Sequence, residues 1–220
     1  MVTVKPTVIL DAGHGGSDSG AVSSSETGSL KESDLNFDKT IILGNILKTY
    51  GVNIVYTRIT RESNPSLQNR VDIANKNGAD LFISIHHDGY KDPNNPEYKK
   101  ENDLVKGVST HYSTYRPLID NHGVYEKNGI KYDSTPCDAA KKSVILAKML
   151  VNNIASLGFN NRGALDHNLY VTREIIVPSV LIEAGFMTND EEVLRVSNEK
   201  VQYNIAQKIA ETVMSFLYSK

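Results

Sequence analysis

Three polar residues stand where apolar runs end: His14 in Asp11-Ala-Gly-His14, His86 in His86-His87-Asp88, and Glu183 closing the run from Ser179. Two histidines and a carboxylate from separate segments can hold one Zn²⁺ ion and leave a position for water, whose pKa then falls to about 7. A further carboxylate that does not bind the metal can take that water's proton and pass it to a leaving amine, and Glu183 fits this role. The chemistry to expect is hydrolysis. Spacing alone leaves it open, because His-Gly-Gly and Ile-His-His occur in many proteins and no HExxH pair lies on one helix. Taken singly, His14 reads equally as a loop residue, His86 as a strand-end histidine, and Glu183 as a carboxylate tied to Arg162 or Arg173.

These groups can act together only if the fold brings them to one place. Short β-branched runs alternate with longer helical patterns, which predicts an α/β fold: a mostly parallel, twisted central sheet of about five or six strands with helices on both faces. Strands are expected at Thr7–Asp11, Asn53–Thr57, Leu81–His86, Val108–Tyr112 and Ser179–Glu183, with Asn168–Val171 a candidate sixth. Ligands bind at the carboxyl ends of strands in such sheets, so the polar residues should converge at one edge.

Asp34–Tyr50 places Leu35, Ile42, Ile46 and Tyr50 on one helical face and stops at Gly51. Ser66 is positioned to cap a helix running to Asn77, with Gly78 as its stop. Asp138 is placed to cap a helix carrying Ala147, Leu150, Val151 and Ile154, and Val201, Ile205, Ile209, Val213 and Leu217 repeat every fourth residue near the C-terminus. Residues 88–107 and 113–137 read as long loops, and loops of that size in a compact domain are usually lids, binding surfaces or disordered segments. One domain over residues 1–220 is the simplest parse.

The 24 basic and 26 acidic residues nearly balance at a net charge of −2, which removes the electrostatic footprint of a nucleic-acid binder. No apolar run is long enough to insert into a membrane. The single cysteine, Cys137, forms no internal disulfide and is too little for a thiolate zinc site. Met1 to Thr7 carries no secretory signal pattern, so export is not expected to be encoded in this stretch.

The motifs Val8-Ile-Leu-Asp-Ala-Gly-His-Gly-Gly16, Glu32-Ser-Asp-Leu-Asn36, Thr57-Arg58, Arg70-Val-Asp-Ile-Ala-Asn75, Ala79-Asp-Leu-Phe-Ile-Ser-Ile-His86, Asn161-Arg-Gly163 and Pro178-Ser-Val-Leu-Ile-Glu-Ala-Gly-Phe186 follow one another along most of the chain. In order and spacing they resemble the zinc-dependent N-acetylmuramoyl-L-alanine amidases of the amidase-3 type. The resemblance implies an amidase that cuts the bond between the lactyl group of N-acetylmuramic acid and L-alanine in bacterial peptidoglycan. It implies one Zn²⁺ on His14, Glu32 and His86, with Glu183 as the base that takes a proton from the attacking water and returns it to the leaving nitrogen. It also implies a monomer that works on the cell wall, outside the cytoplasm.

Neighbouring residues compete for two of these places. Glu26 is an alternative to Glu32, but only Glu32 precedes the Asp-Leu-Asn that opens the helix, where the helix dipole also favours a carboxylate. His87 is an alternative to His86; alternation along Leu81–His86 favours His86 and leaves His87 to face solvent or substrate. Asp11 is a candidate partner for a metal-bound histidine, and Arg162 a candidate to neutralise a carboxylate near the site. Arg70 and Asn75 are expected to fasten their helix to neighbouring loops. The chain departs from the family pattern in two places: His87-Asp88 stands where a small residue and Asn are common, and Ser113–Cys137 is inserted. The rival readings are a zinc peptidase or amide deacetylase on the same scaffold, and a wall-binding module without turnover.

Overall fold

The computed structural model describes residues 5–90 and 104–219, so residues 91–103 of the loop expected at 88–107 lie outside the described residues. In chain order the elements are β1 (Thr7–Ala12), α1 (Glu32–Thr49), β2 (Asn53–Tyr56), α2 (Leu67–Lys76), β3 (Leu81–Asp88), β4 (Val108–Tyr112), β5 (Val124–Lys127) and β6 (Ile130–Asp133). They continue with α3 (Asp138–Ala155), β7 (Asn161–Asp166), α4 (Tyr170–Arg173), β8 (Ser179–Phe186), α5 (Asp190–Ser197) and α6 (Glu199–Tyr218). Six strands form one sheet in the order β2-β1-β3-β8-β4-β7. Every neighbouring pair is parallel except β8 and β4. This is the mostly parallel α/β sheet that the β-branched runs predict.

Alternation along the strands sends side chains to two different coverings. Val8, Leu10, Ile83, Ile85, Val180 and Ile182 pack with Leu43 and Leu47 of α1, Leu146 and Leu150 of α3, and Ile205, Ile209 and Val213 of α6. The opposite face sets Ile9, Phe82 and Leu181 against Val71 and Ala74 of α2 and Val171 of α4. Burying each such side chain contributes about 1.5–3 kcal/mol, so the first face carries most of the core. The second face, with its two shorter helices, has room for a cavity of about 380 Å³ lined by His14, His86, Arg70, Ser66, Tyr170 and Leu181.

Helix ends follow local chemistry. Ser66 accepts a hydrogen bond from the Asn69 amide at 3.2 Å and caps α2, as expected. Asp138 does not cap α3: Cys137 holds the cap position without a side-chain bond, and Asp138 is the first helical residue. The sixth strand is Asn161–Asp166 rather than Asn168–Val171, where Leu169 instead precedes α4. β7 is an edge strand with exposed positions and a polar start, so it lacks the apolar alternation by which strands are read. The 113–137 stretch holds the exposed hairpin β5–β6, with Tyr125 stacked on Tyr132 at 5.5 Å. Because β4 runs antiparallel to β8, this insertion leaves the sheet at the edge away from Ala12 and His86.

Candidate active site

β1 ends at Ala12 and passes into a tight turn in which His14 (φ 60°), Gly15 (φ 133°) and Gly16 (φ 54°) all adopt positive φ. That conformation is costly for a histidine and persists only where the surroundings over-determine it. Here Gly15 and Asp18 exchange two backbone bonds of 2.9 Å, and the Gly16 amide donates to the Arg61 carbonyl. Arg70 donates to the carbonyls of Ala12 and His14 at 2.8 Å each. The turn therefore presents the His14 ring in one place. Its Nδ1 lies 2.9 Å from Asp18 Oδ2, which leaves Nε2 facing Glu32 Oε1 at 3.2 Å.

Glu32 is the first residue of α1 and is 3% exposed. Its Oε2 accepts from the Ala21 amide at 2.9 Å. Its Oε1 accepts from the Asn36 side chain at 3.0 Å and the His87 amide at 3.2 Å, and faces His86 Nδ1 at 3.0 Å. One carboxylate oxygen thus sits between two imidazole nitrogens, and the ligand atoms of His14, Glu32 and His86 all lie within 4.8 Å of one another.

Two glycines make this approach possible. A Cβ on Gly13 would lie 2.2 Å from the His86 ring, and one on Gly20 (φ 63°) would lie 2.4 Å from Glu32 Oε2 and 2.7 Å from His14 Cδ2. The donor set is two nitrogens and one oxygen from three separate elements, the composition of a catalytic zinc site with a position left over. Asp18 on the far nitrogen of His14 supplies the orienting carboxylate that metal-bound histidines commonly have.

The electrostatics agree with a cation site. Burial would raise the Glu32 pKa, but hydrogen bonds with His14 and His86 hold it well below the ordinary carboxylate range. Hydrogen bonding to Glu32 pushes His14 up to about 9, against the opposing effect of burial. The proton favoured on His14 supplies positive charge where a bound dication would otherwise supply it.

Glu183 stands on β8 directly opposite His86 in the strand register, on the same face as Leu181. Its Oε2 is shielded from solvent and makes no hydrogen bond. Burial, with the charges of Asp88 and Glu32, raises its pKa well above the ordinary value. A carboxyl in this setting holds a proton more tightly than a free one, which suits a group that must both accept and return it.

The sequence profile of the Amidase_3 family, described as N-acetylmuramoyl-L-alanine amidase, matches residues 8–215. The chain belongs to this family. It is 31% identical over 228 residues to the N-acetylmuramoyl-L-alanine amidase AmiA of Escherichia coli strain K12, covering 97% of this chain and 77% of AmiA. An N-acetylmuramoyl-L-alanine amidase from Clostridium difficile 630 superposes with a TM-score of 0.79 at 30% identity, covering 98% of both chains. AmiC2 of Nostoc punctiforme gives a TM-score of 0.77 at 28% identity over 98% of this chain and 99% of its own. Membership of this amidase family makes the chain an enzyme of the hydrolase class, acting on a linear amide bond.

Against the family motifs, the remaining residues fall differently from their reading in sequence. Asp11 touches no histidine: it is buried, accepts from Ser84 Oγ at 2.6 Å and from Thr57, and pairs with Arg70. It anchors the turn, and Asp18 is the carboxylate on the histidine instead. No sequence pattern singles out Asp18, because its role depends on the positive-φ turn, which brings a residue four positions away back onto the ring. His87 faces neither solvent nor substrate. It is 1% exposed, because the residue after His86 points to the α1 side of the sheet, where it meets Asn36 and Lys39. Arg162 makes no ion pair among the described residues and lies over the Phe186 ring at 4.9 Å; burial keeps the Asp88 pKa raised, outweighing the Gly89 amide and the Arg162 charge. Glu26 is exposed in a 3-10 turn, away from the cluster of His14, Glu32 and His86. Arg70 and Asn75 fasten α2 as expected, Asn75 by bonding Glu174 O and the Ile176 amide at 3.0 Å each.

Ser109 and His111, on the same face of β4, carry no distinguishing sequence pattern either. Ser109 is level with Glu183 in the register, His111 Nε2 lies 3.0 Å from Ser109 Oγ, and His111 Nδ1 lies 2.9 Å from His167 Nδ1. The polar side of the sheet thus continues past Glu183 onto β4.

Proposed function

We propose that this chain is a zinc-dependent N-acetylmuramoyl-L-alanine amidase, hydrolysing the amide between the lactyl group of N-acetylmuramic acid and L-alanine of the peptidoglycan stem peptide. The observation that carries the reading is the meeting of His14 Nε2, Glu32 Oε1 and His86 Nδ1 around one point, with an unpartnered Glu183 carboxyl on the adjoining strand. Zinc, when bound there, would polarise the scissile carbonyl and lower the pKa of a water to about 7.

The chain's own residues do the rest. His14 offers Nε2, giving up on metal binding the proton it otherwise holds, His86 offers Nδ1, and Glu32 offers Oε1, whose other contacts are donors. Glu183 takes the proton from the attacking water and delivers it to the departing L-alanine nitrogen, so that neither hydroxide nor an amide anion is released into solvent. The cavity beside His14 and His86, with the N-terminus of α2 and Tyr170 on its walls, gives the substrate a place to lie. On this reading residues 1–220 form one catalytic domain that acts as a monomer on the cell wall. No helix among the described residues is long and apolar enough to cross a membrane.

The test is mass spectrometry of fragments from purified peptidoglycan, with wild-type protein, with a zinc chelator, and with Glu183→Gln. Intact stem peptides with a free L-alanine amine are expected, lost on chelation. Glu183→Gln should keep zinc and lower turnover by at least about 10²–10⁴-fold. Cleaved stems or deacetylated sugars would move the specificity to a peptidase or deacetylase; no product at all would point to a binding module.

A further inference from the structure

Glu32, Asn36 and Lys39 occupy successive turns on one face of α1, the face turned toward β3. His87 of β3 points into that face. Four polar side chains are thereby linked inside the core: Lys39 Nζ lies 2.5 Å from His87 Nε2, His87 Nδ1 lies 2.7 Å from Asn36 Oδ1, and Asn36 Nδ2 lies 3.0 Å from Glu32 Oε1. Lys39 and Asn36 are both 0% exposed. Lysines are almost never fully buried unless paired, and this one has a histidine ring as its partner.

The direction of the chain follows from its far end. Asn36 faces two pure acceptors, Glu32 Oε1 at 3.0 Å and the Gly13 carbonyl at 3.3 Å, so its amide nitrogen must point at them. Its oxygen therefore faces His87, and Nδ1 of His87 must carry the hydrogen. In a neutral imidazole Nε2 is then an acceptor, and it takes its hydrogen bond from Lys39. Every link donates toward Glu32. Reversing any one would set two acceptors or two donors face to face in a region without water to relieve them.

We propose that Lys39 and His87 are positioning residues for the metal site, a one-way donor relay that fixes the Asn36 amide and through it holds Glu32 Oε1 between His14 and His86. The inference rests on the zinc reading of that trio. The relay does not touch substrate or the reacting atoms. It determines whether the carboxylate oxygen is already in place before the metal arrives. With Lys39 replaced by methionine, Nε2 of His87 loses its donor. The ring is no longer held from behind and can swing off the Asn36 oxygen, which frees the Asn36 amide to shift away from Glu32 Oε1. Losses of about 10–100-fold in metal affinity are usual when a residue supporting a ligand is removed.

The experiment has two arms on the full chain. Nitrogen-15 NMR of the imidazoles in metal-free wild-type protein reads the His87 tautomer; Nδ1–H is expected, and Nε2–H would overturn the relay without any substitution being made. In the second arm, zinc affinity by competition with a chromophoric chelator is compared for wild-type and Lys39→Met, alongside metal-free melting curves. Lys39→Met removes the cost of burying the lysine but leaves His87 Nε2 without a donor, a loss that a folded domain usually survives. A variant that still melts cooperatively in the metal-free form but whose zinc affinity is weakened at least about tenfold supports the relay. Wild-type zinc affinity in Lys39→Met overturns it, and if the variant does not fold, the tautomer decides. Failure of wild-type protein to bind zinc would instead overturn the zinc reading of the trio, a result separate from the tautomer.

Discussion

Gly13→Ala is the sharpest test of how the proposed metal ligands are positioned. Gly13 has no positive φ among those recorded for the turn, so alanine suffers no left-handed strain there; the substitution probes space alone. The added Cβ would lie 2.2 Å from Cε1 and Nε2 of His86 and 2.6 Å from Cδ2, where ordinary contacts begin at 3.4 Å. The ring, or the turn beneath it, must therefore give way by about 1.2 Å. Metal–ligand distances tolerate about ±0.2 Å, and a misplacement of about 1 Å near a reacting centre costs on the order of 10²-fold in rate. Overpacking of this kind costs about 1–3 kcal/mol, which a folded domain usually survives. The expected result is a folded protein whose zinc affinity and amide hydrolysis each fall by about 10²-fold or more. Chelator competition measures the first, fragment release the second, and circular dichroism confirms the fold. Gly129→Ala is the control: its φ is 75° but nothing lies within 4 Å, so it should lose only stability. If Gly13→Ala bound zinc and turned over within about threefold of wild type, the packing of His86 on Gly13 would not be what places the ligand.

Three further outcomes follow from the same geometry. Asp18→Asn removes the carboxylate from His14 Nδ1 and should weaken zinc binding about 10–100-fold with little change in metal-free melting temperature; undiminished affinity would remove Asp18 from the site. His14 is raised from 6.5 to about 9 in the metal-free protein, so its contribution to metal-free stability is fully present below about pH 6.5 and lost as pH rises through about 9. Zinc must displace that proton, so affinity should rise with pH across this window. Calorimetry at pH 7.5 in buffers of different ionisation enthalpy should find about one proton released per zinc, and none released would refute the assignment. Asp11→Ala leaves Arg70 buried and unpaired, at a cost of about 3–5 kcal/mol and roughly 10 °C in melting temperature; a loss under about 1 kcal/mol would show that the pair does not anchor the turn.

The sheet was legible because its central strands are apolar on both faces, and β-branched runs such as Val8–Leu10 and Leu81–Ile85 have no other stable use. β7 and the β5–β6 hairpin were not legible, since exposed strands bury no periodic apolar side and look like loops. Residues read from motif order, His14, Glu32, His86 and Glu183, are brought to one edge by three parallel strands and the start of α1. Residues whose role depends on a partner fared differently, because the partner of a side chain is a property of three dimensions. Asp11 met an arginine rather than a histidine, and His87 turned into the core.

What the sequence determined by itself is the set of groups able to do chemistry and the strands that carry them, because both depend on residue type and short-range period. Only the tertiary structure decided which nitrogen of His14 is free, which oxygen of Glu32 faces the imidazoles, and that a buried lysine stands behind them through His87 and Asn36. Hydrogen bonds are directional over about 3 Å, and no spacing along a chain specifies direction at that scale until α1 has packed against β3.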